Sequence, residues 1–189
     1  EEGEALMAPV MRQVQETLGP IIYGIDTDSL EATALRLLSE RGQTIATAES
    51  CTGGLLSKRL TDLPGASAVF RGGVVAYSHG AKTDLLGVPS ATIAAGGEVS
   101  EPVARAMAEG ARERLKADYG IGITGIAGPD GGTEDKPVGT VFVALATAEG
   151  SYVRSLKMGN DRTRVRTSST HHALDMLRRH LTGLPVETI

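Results

Sequence analysis

The sequence predicts an α/β protein, a three-layer α/β/α sandwich around a mixed sheet. Three observations lead there. Strand-like and helix-like segments alternate along most of the chain, with one hairpin near its end. Hydrophobic residues make up 41% of the chain but aromatics only 3%, so the core must be Val, Ile, Leu and Ala, which suits a helix-covered sheet. At 189 residues the chain can bury a sizeable core as one domain with an appendage.

Each element has a local reason. Leu6, Met7, Val10, Met11, Val14 and Leu18 repeat at i, i+3/i+4 and predict an amphipathic helix over 5–18, stopped by Gly19-Pro20. Ile21 to Ile25 reads as a short strand. Asp28-Ser29-Leu30-Glu31 resembles a capping box, with Asp28 as the cap, before a helix faced by Leu30, Ala34, Leu37 and Leu38 and ended at Gly42. The best boundary falls near 19–28, which makes residues 1–18 the appendage.

Thr44 to Ala48 is β-type, and Leu55, Leu56 and Leu60 begin a helix after Gly53-Gly54. Residues 72–77 read as a buried strand and Ala81 to Leu86 as a short helix. Ser100-Glu101-Pro102 is a strong helix start, with Val103, Met107, Ala111 and Leu115 facing the core. Tyr119 to Thr124 is a strand. A loop rich in Gly, Asp and Pro runs from Gly125 to Gly139. Thr140 to Ala148 and Tyr152 to Met158 form a hairpin around Glu149-Gly150. Arg162 to Leu181 is the last helix.

Composition narrows the function. A net charge of −4 argues against a phosphate-neutralising nucleic-acid binder, and the shortage of aromatics against a base-stacking surface. The lone Cys51 forbids an internal disulfide and points to a reducing, cytoplasmic setting. No apolar stretch approaches the ~20 residues that span a bilayer. The acidic start, Glu1-Glu2-Gly3-Glu4, is unlike a signal peptide, and without an initiating Met the chain reads as a fragment or a processed product. Cys-x-x-Cys and His-x-x-x-His are both missing, so no metal is expected.

The richest stretch is Ala46-Thr47-Ala48-Glu49-Ser50-Cys51-Thr52-Gly53-Gly54. A strand end followed by hydroxyls, a thiol and a Gly pair offers free amides and a positive helix end to an oxyanion or phosphate. A well-capped helix accounts for the same residues. Ser50 is a nucleophile only if a base lies within reach. Cys51 is the rival, with a small buried cysteine as its plainer reading. Tyr77 at a strand end and Lys82 at the next helix form a candidate base system, or else a strand-end aromatic and a solvated lysine. No Gly-x-Ser-x-Gly elbow occurs, so the α/β-hydrolase reading fails.

Gly120-Ile121-Gly122-Ile123-Thr124-Gly125 matches a dinucleotide fingerprint only formally, because its glycines alternate with Ile inside a strand. Their expected use is close packing, with Thr124-Gly125 at the mouth of a pocket. The Gly125–Gly132 stretch, including Gly128, allows amides to face an anion. Arg162, Arg164 and Arg166 put positive charge at a helix start, where the macrodipole disfavours it. A phosphate ligand accounts for that, and so does a salt-bridged surface.

Several segments together resemble the C-terminal domain of the competence/damage-inducible protein CinA, the nicotinamide mononucleotide (NMN) deamidase family. They are Thr47-Ala48-Glu49-Ser50-Cys51-Thr52-Gly53-Gly54, Gly73 to Tyr77 with Lys82, Val99-Ser100-Glu101-Pro102, Gly125-Ile126-Ala127-Gly128-Pro129-Asp130-Gly131-Gly132, and Lys136-Pro137-Val138-Gly139-Thr140-Val141. The likeness runs from about residue 28 to 182. It implies a domain over 26–189, preceded at 1–25 by the tail of a missing neighbour.

The resemblance also implies hydrolysis of NMN to nicotinate mononucleotide and ammonia without metal or cofactor. Ser50 would be the nucleophile, and Tyr77 and Lys82 the base system. Amides at Cys51, Thr52 and Gly53 would hold the oxyanion beside Gly54. Thr124, Gly125, Gly128, Arg162 and Arg166 would bind substrate. It further implies a homodimer with no direct nucleic-acid or membrane partner. Two rivals are a non-catalytic nucleotide-binding or interaction module linked to competence and a Rossmann-type oxidoreductase.

Overall fold

A computed structural model describes residues 2–25 and 29–187. Helix α1 spans Glu2–Leu18, α2 Leu30–Arg41 and strand β1 Ile45–Glu49. Then come α3 (Leu55–Thr61), β2 (Phe70–Val75), α4 (His79–Leu86), α5 (Ser90–Gly96) and α6 (Glu101–Arg114). Strands β3 (Tyr119–Gly125), β4 (Thr140–Ala146) and β5 (Ser151–Lys157) precede α7 (Arg162–Leu181). None of these helices is long and apolar enough to cross a membrane.

The strands form one sheet in the order β2-β1-β3-β4-β5. β1 is parallel to both of its neighbours, whereas β3–β4 and β4–β5 pair antiparallel. The sheet is therefore mixed, and helices cover both faces, as the sequence predicts.

The two faces are built differently. On one, Ile45, Ile121, Ile123, Val141, Val143 and Leu145 pack under α2, α3 and α7. On the other, Ala46, Ala48, Ala144 and Ala146 meet α4, α5 and α6. The period-2 alternation of β3 sends its isoleucines to the first face and its glycines to the second. A Cβ at Gly120 would collide with the Ala108 carbonyl oxygen, and one at Gly122 with that of Ala104. The formal dinucleotide fingerprint is thus a flat seat for α6.

Some expectations are corrected. Residues 21–25 form no strand: a 3-10 turn covers Gly19–Ile21, and Ile21 and Ile25 are exposed. Pro20 lacks an N–H, and the sheet contains no strand from this segment. The capping role given to Asp28 lies outside the described residues. The cap of α2 is Ser29, whose Oγ accepts from Ala32 N at 3.2 Å. The strand expected at 72–77 ends at Val75 and lies at the sheet edge, with exposure alternating along it. Helix α5 was not foreseen, because Ile93 is its one buried residue and no apolar period marks it. The apolar stripe of α1 is present, but Leu6, Met7 and Val10 face outward.

Candidate active site

β1 delivers the chain to Glu49, whose side chain is fully buried. Glu49 Oε2 accepts the N–H of Gly54 and of Leu56, each at 3.0 Å. Its Oε1 accepts the Ser57 N–H at 2.8 Å and the Ser57 hydroxyl at 2.7 Å. The carboxylate folds residues 50–54 into a tight turn and occupies the N-terminus of α3, where a helix draws an anion. Gly54, at φ +90°, enters α3 in the left-handed region that glycine favours.

This geometry corrects the expected oxyanion hole. The Gly53 N–H donates to the Ser50 carbonyl at 3.0 Å, and the Gly54 N–H is committed to Glu49. Of the amides proposed, Cys51 and Thr52 remain without an acceptor among the described residues.

Ser50 lies on the wall of a cavity of ≈ 260 Å³, at the ends of β1 and β3, together with Cys51, Tyr77, Thr124, Gly125, Gly128 and Arg162. Its hydroxyl makes no hydrogen bond among the described residues, while its N–H continues the sheet by donating to Ile123 O at 2.9 Å. A larger cavity, ≈ 590 Å³, opens beside α2 and α7. Its cations are committed to structure: Arg59 pairs with Glu31, and Arg154 and Arg179 pair with Asp175. The sequence-predicted residues Ser50, Tyr77 and Arg162 line the smaller one.

Tyr77 is 61% exposed at the rim. Its Oη accepts from Arg162 Nη2 at 3.4 Å, and Arg162 Nη1 donates to Gly128 O at 2.8 Å. One guanidinium thus links the tyrosine to the glycine loop. Arg166 Nη2 donates to Thr52 O at 2.8 Å. Thr52 Oγ1 and Arg166 Nε are buried with no hydrogen-bond partner among the described residues. Neither Arg162 nor Arg166 forms an ion pair among the described residues, which removes the salt-bridged-surface explanation for their position.

Burial pushes the Cys51 thiol up to about 11, outweighing the lowering effect of its own backbone N–H; the Glu49 charge adds to the rise, and Arg166 and Arg162 oppose it weakly. It is a protonated thiol near neutral pH, poorly suited to attack.

Not every expected residue reaches the cavity wall. Thr52, Gly53, Gly54 and Arg166 sit beside it. Lys82 is 1% exposed and lies behind it. Its Nζ donates to Glu98 Oε2 at 2.7 Å rather than to Ser50 or Tyr77. Thr124 Oγ1, fully buried, donates to the Glu98 carbonyl at 2.8 Å, so its hydroxyl serves the wall. Lys136 Nζ reaches Gly96 O at 2.5 Å and ties the glycine-rich loop to the end of α5.

Sequence reasoning missed Glu49 and Glu98. A buried lysine demands an acid nearby, but the alternatives in sequence are many. Among the described residues no cluster of His, Cys, Asp and Glu has the makings of a metal site.

The profile described as CinA C-terminal domain matches residues 27–181. A CinA-like protein of Desulfovibrio desulfuricans is 53% identical over 192 residues, covering 99% of this chain and 45% of that protein. A CinA-like protein of Frankia casuarinae is 51% identical over 184 residues, covering 97% and 42%. The chain therefore spans less than half the length of these curated relatives.

Among solved structures, the competence/damage inducible protein CihA from Agrobacterium tumefaciens superposes with a TM-score of 0.77 at 38% identity, covering 84% of this chain and 99% of that one. A CinA superfamily protein from Klebsiella pneumoniae gives 0.78 at 33% identity, covering 82% and 96%. With a matching profile over most of its length, the same fold and close relatives along nearly all of it, this chain belongs to the family of CinA C-terminal domains.

Proposed function

We propose that this chain is an amidohydrolase that converts nicotinamide mononucleotide and water to nicotinate mononucleotide and ammonia, as a step of pyridine nucleotide salvage. The observation that carries the reading is Ser50: its unbonded hydroxyl sits on a cavity beside two N–H groups with no acceptor and a phenol. Serine at a strand-to-helix turn, with donors next to it, suits attack on a carboxamide carbon.

Ser50 Oγ attacks that carbon, and the Cys51 and Thr52 amides receive the oxyanion. One such donor is commonly worth ~3–4 kcal/mol. Tyr77 and Lys82 form the base system that takes the serine proton. Ammonia leaves, and water then hydrolyses the nicotinoyl ester. Arg162, at the same rim as Gly125 and Gly128, holds the substrate phosphate, and Arg166 adds positive charge from beside the cavity. The proposed reaction needs no metal and no cofactor.

On this reading the protein is a cytoplasmic homodimer that acts on a small molecule rather than on DNA or membrane. Residues 26–189 are its catalytic domain, and residues 1–25 belong to the preceding segment. The test is ammonia release from NMN by this chain. Release that disappears in Ser50→Ala supports the reading, and no release from the unsubstituted chain overturns it.

A further inference from the structure

Lys82 and Glu98 form an ion pair with unequal access to the cavity. The Lys82 side chain is 1% exposed, and that of Glu98 is 43% exposed. Glu98 is on the cavity wall with Ser50, and Lys82 is not. Position is fixed from both sides: Thr124 Oγ1 holds the Glu98 carbonyl, and α6 begins two residues beyond, at its Ser100 cap. An ammonium cannot accept a proton from Ser50, and of the two paired groups only Glu98 is on the cavity wall, where an amide leaving group would need its proton.

We infer that Glu98 takes the Lys82 proton that must leave before the amine can act as a base, and that it gives that proton to the departing amide nitrogen. The inference rests on the amidohydrolase reading above. A proton moves from Lys82 Nζ to Glu98 Oε2 across their 2.7 Å contact, leaving a neutral amine and a carboxylic acid. The amine takes the Ser50 proton, directly or through Tyr77, as Oγ bonds to the carboxamide carbon.

The acid gives its proton to the amide nitrogen. The C–N bond breaks with its electron pair on nitrogen, and ammonia departs. The pair is left as lysine ammonium and glutamate carboxylate, its starting state. In the second half the carboxylate takes a proton from water while the water oxygen attacks the ester. Lys82 returns a proton to Ser50 Oγ, and Glu98 passes its own to Lys82.

The distinguishing experiment varies the leaving group. The full chain and its Glu98→Gln and Glu98→Asp variants are assayed with NMN and with the p-nitrophenyl ester of nicotinate mononucleotide, whose nitrophenolate leaves without a proton. Glu98→Gln should lose about 100-fold in kcat on the amide, a loss typical of general acid removal. On the ester, the nitrophenolate burst, which reports acylation with no leaving group to protonate, should lose at least about tenfold less than the amide rate does. Glu98→Asp, which keeps a carboxylate, should recover at least about tenfold of the amide rate lost by the amide variant.

Equal losses on both substrates, or no loss on either, would overturn the role of Glu98 while leaving the amidohydrolase reading intact. An aspartate variant as slow as the glutamine variant also counts against it. Failure of the unsubstituted chain to release ammonia would instead overturn the underlying reading.

Discussion

The Glu49 carboxylate receives both the backbone N–H and the hydroxyl of Ser57, at 2.8 and 2.7 Å. With the Gly54 and Leu56 amides on its other oxygen, it fills the N-terminus of α3 from within. Glu49→Gln replaces an acceptor with an amide NH2 that faces other donors. It should cost about 3 kcal/mol, since bonds to a charged, buried group are among the stronger ones. Thermal unfolding should show a midpoint lowered by roughly 6–12 °C, and an unchanged midpoint would remove Glu49 from its organising role.

Ser50 and Cys51 are adjacent but differ in chemistry. Ser50→Ala should abolish ammonia release from NMN with no change in circular dichroism. Cys51→Ala should retain substantial turnover, because a thiol raised to about 11 is protonated at working pH. The same value predicts slow alkylation of Cys51 by iodoacetamide at pH 8 and faster reaction as pH rises toward 11. Complete loss of turnover in Cys51→Ala would restore the thiol as nucleophile.

Arg162 offers the rim a guanidinium that pairs with no carboxylate among the described residues. Arg162→Ala should raise KM for NMN by about tenfold or more, a typical loss for a charge-assisted phosphate contact. The change for nicotinamide riboside, which has no phosphate, should be much smaller. Equal effects on the two substrates would show that Arg162 serves only to place Gly128 and Tyr77.

Asp175 ties Arg154, Arg178 and Arg179 together. Burial alone would raise its carboxyl, but hydrogen bonds from Arg178 and Arg154 and the charges of Arg178 and Arg179 outweigh that and hold it below its ordinary 3.8. A lowered value in the folded state means that its stabilisation is complete above 3.8 and is lost as pH falls through the folded value. Asp175→Asn should therefore cost about 3 kcal/mol near neutral pH. The gap from the parent protein should close as both are acidified below pH 3.8. Unfolding midpoints measured from pH 7 to pH 2 test this, and a constant gap would contradict it.

Much of the scaffold was legible because its signals are local. Ser100 with Pro102 marks the start of α6, and the apolar spacing after Asp161 gives α7 its observed limits. Ser50, Tyr77, Thr124, Gly128 and Arg162, which the family resemblance named as site residues, line one cavity, whereas Lys82, named with them, does not. What was not legible depends on contacts distant in sequence or on direction. Nothing in the residues around Glu49 says that its side chain turns back to α3. Lys82 is a common surface residue type, and only the fold shows it buried against Glu98. Ile21 to Ile25 has strand-like residues, but a strand needs a neighbour to pair with.

The bare seat that β3 offers α6 acts as a gauge for the whole cavity wall. Two side chains reduced to hydrogen, at Gly120 and Gly122, set how deep the helix sinks toward the sheet. Because Glu98 lies just ahead of that helix and is gripped by Thr124 from the same strand, the depth also sets the alignment of the acid with Lys82. A methyl group at position 122, paired with Ala48 two residues before Ser50 and pointing at α6, would act as a shim. It would lift the helix and part the wall from the lysine behind it, so the tolerance of the site is machined into a strand that touches no substrate there.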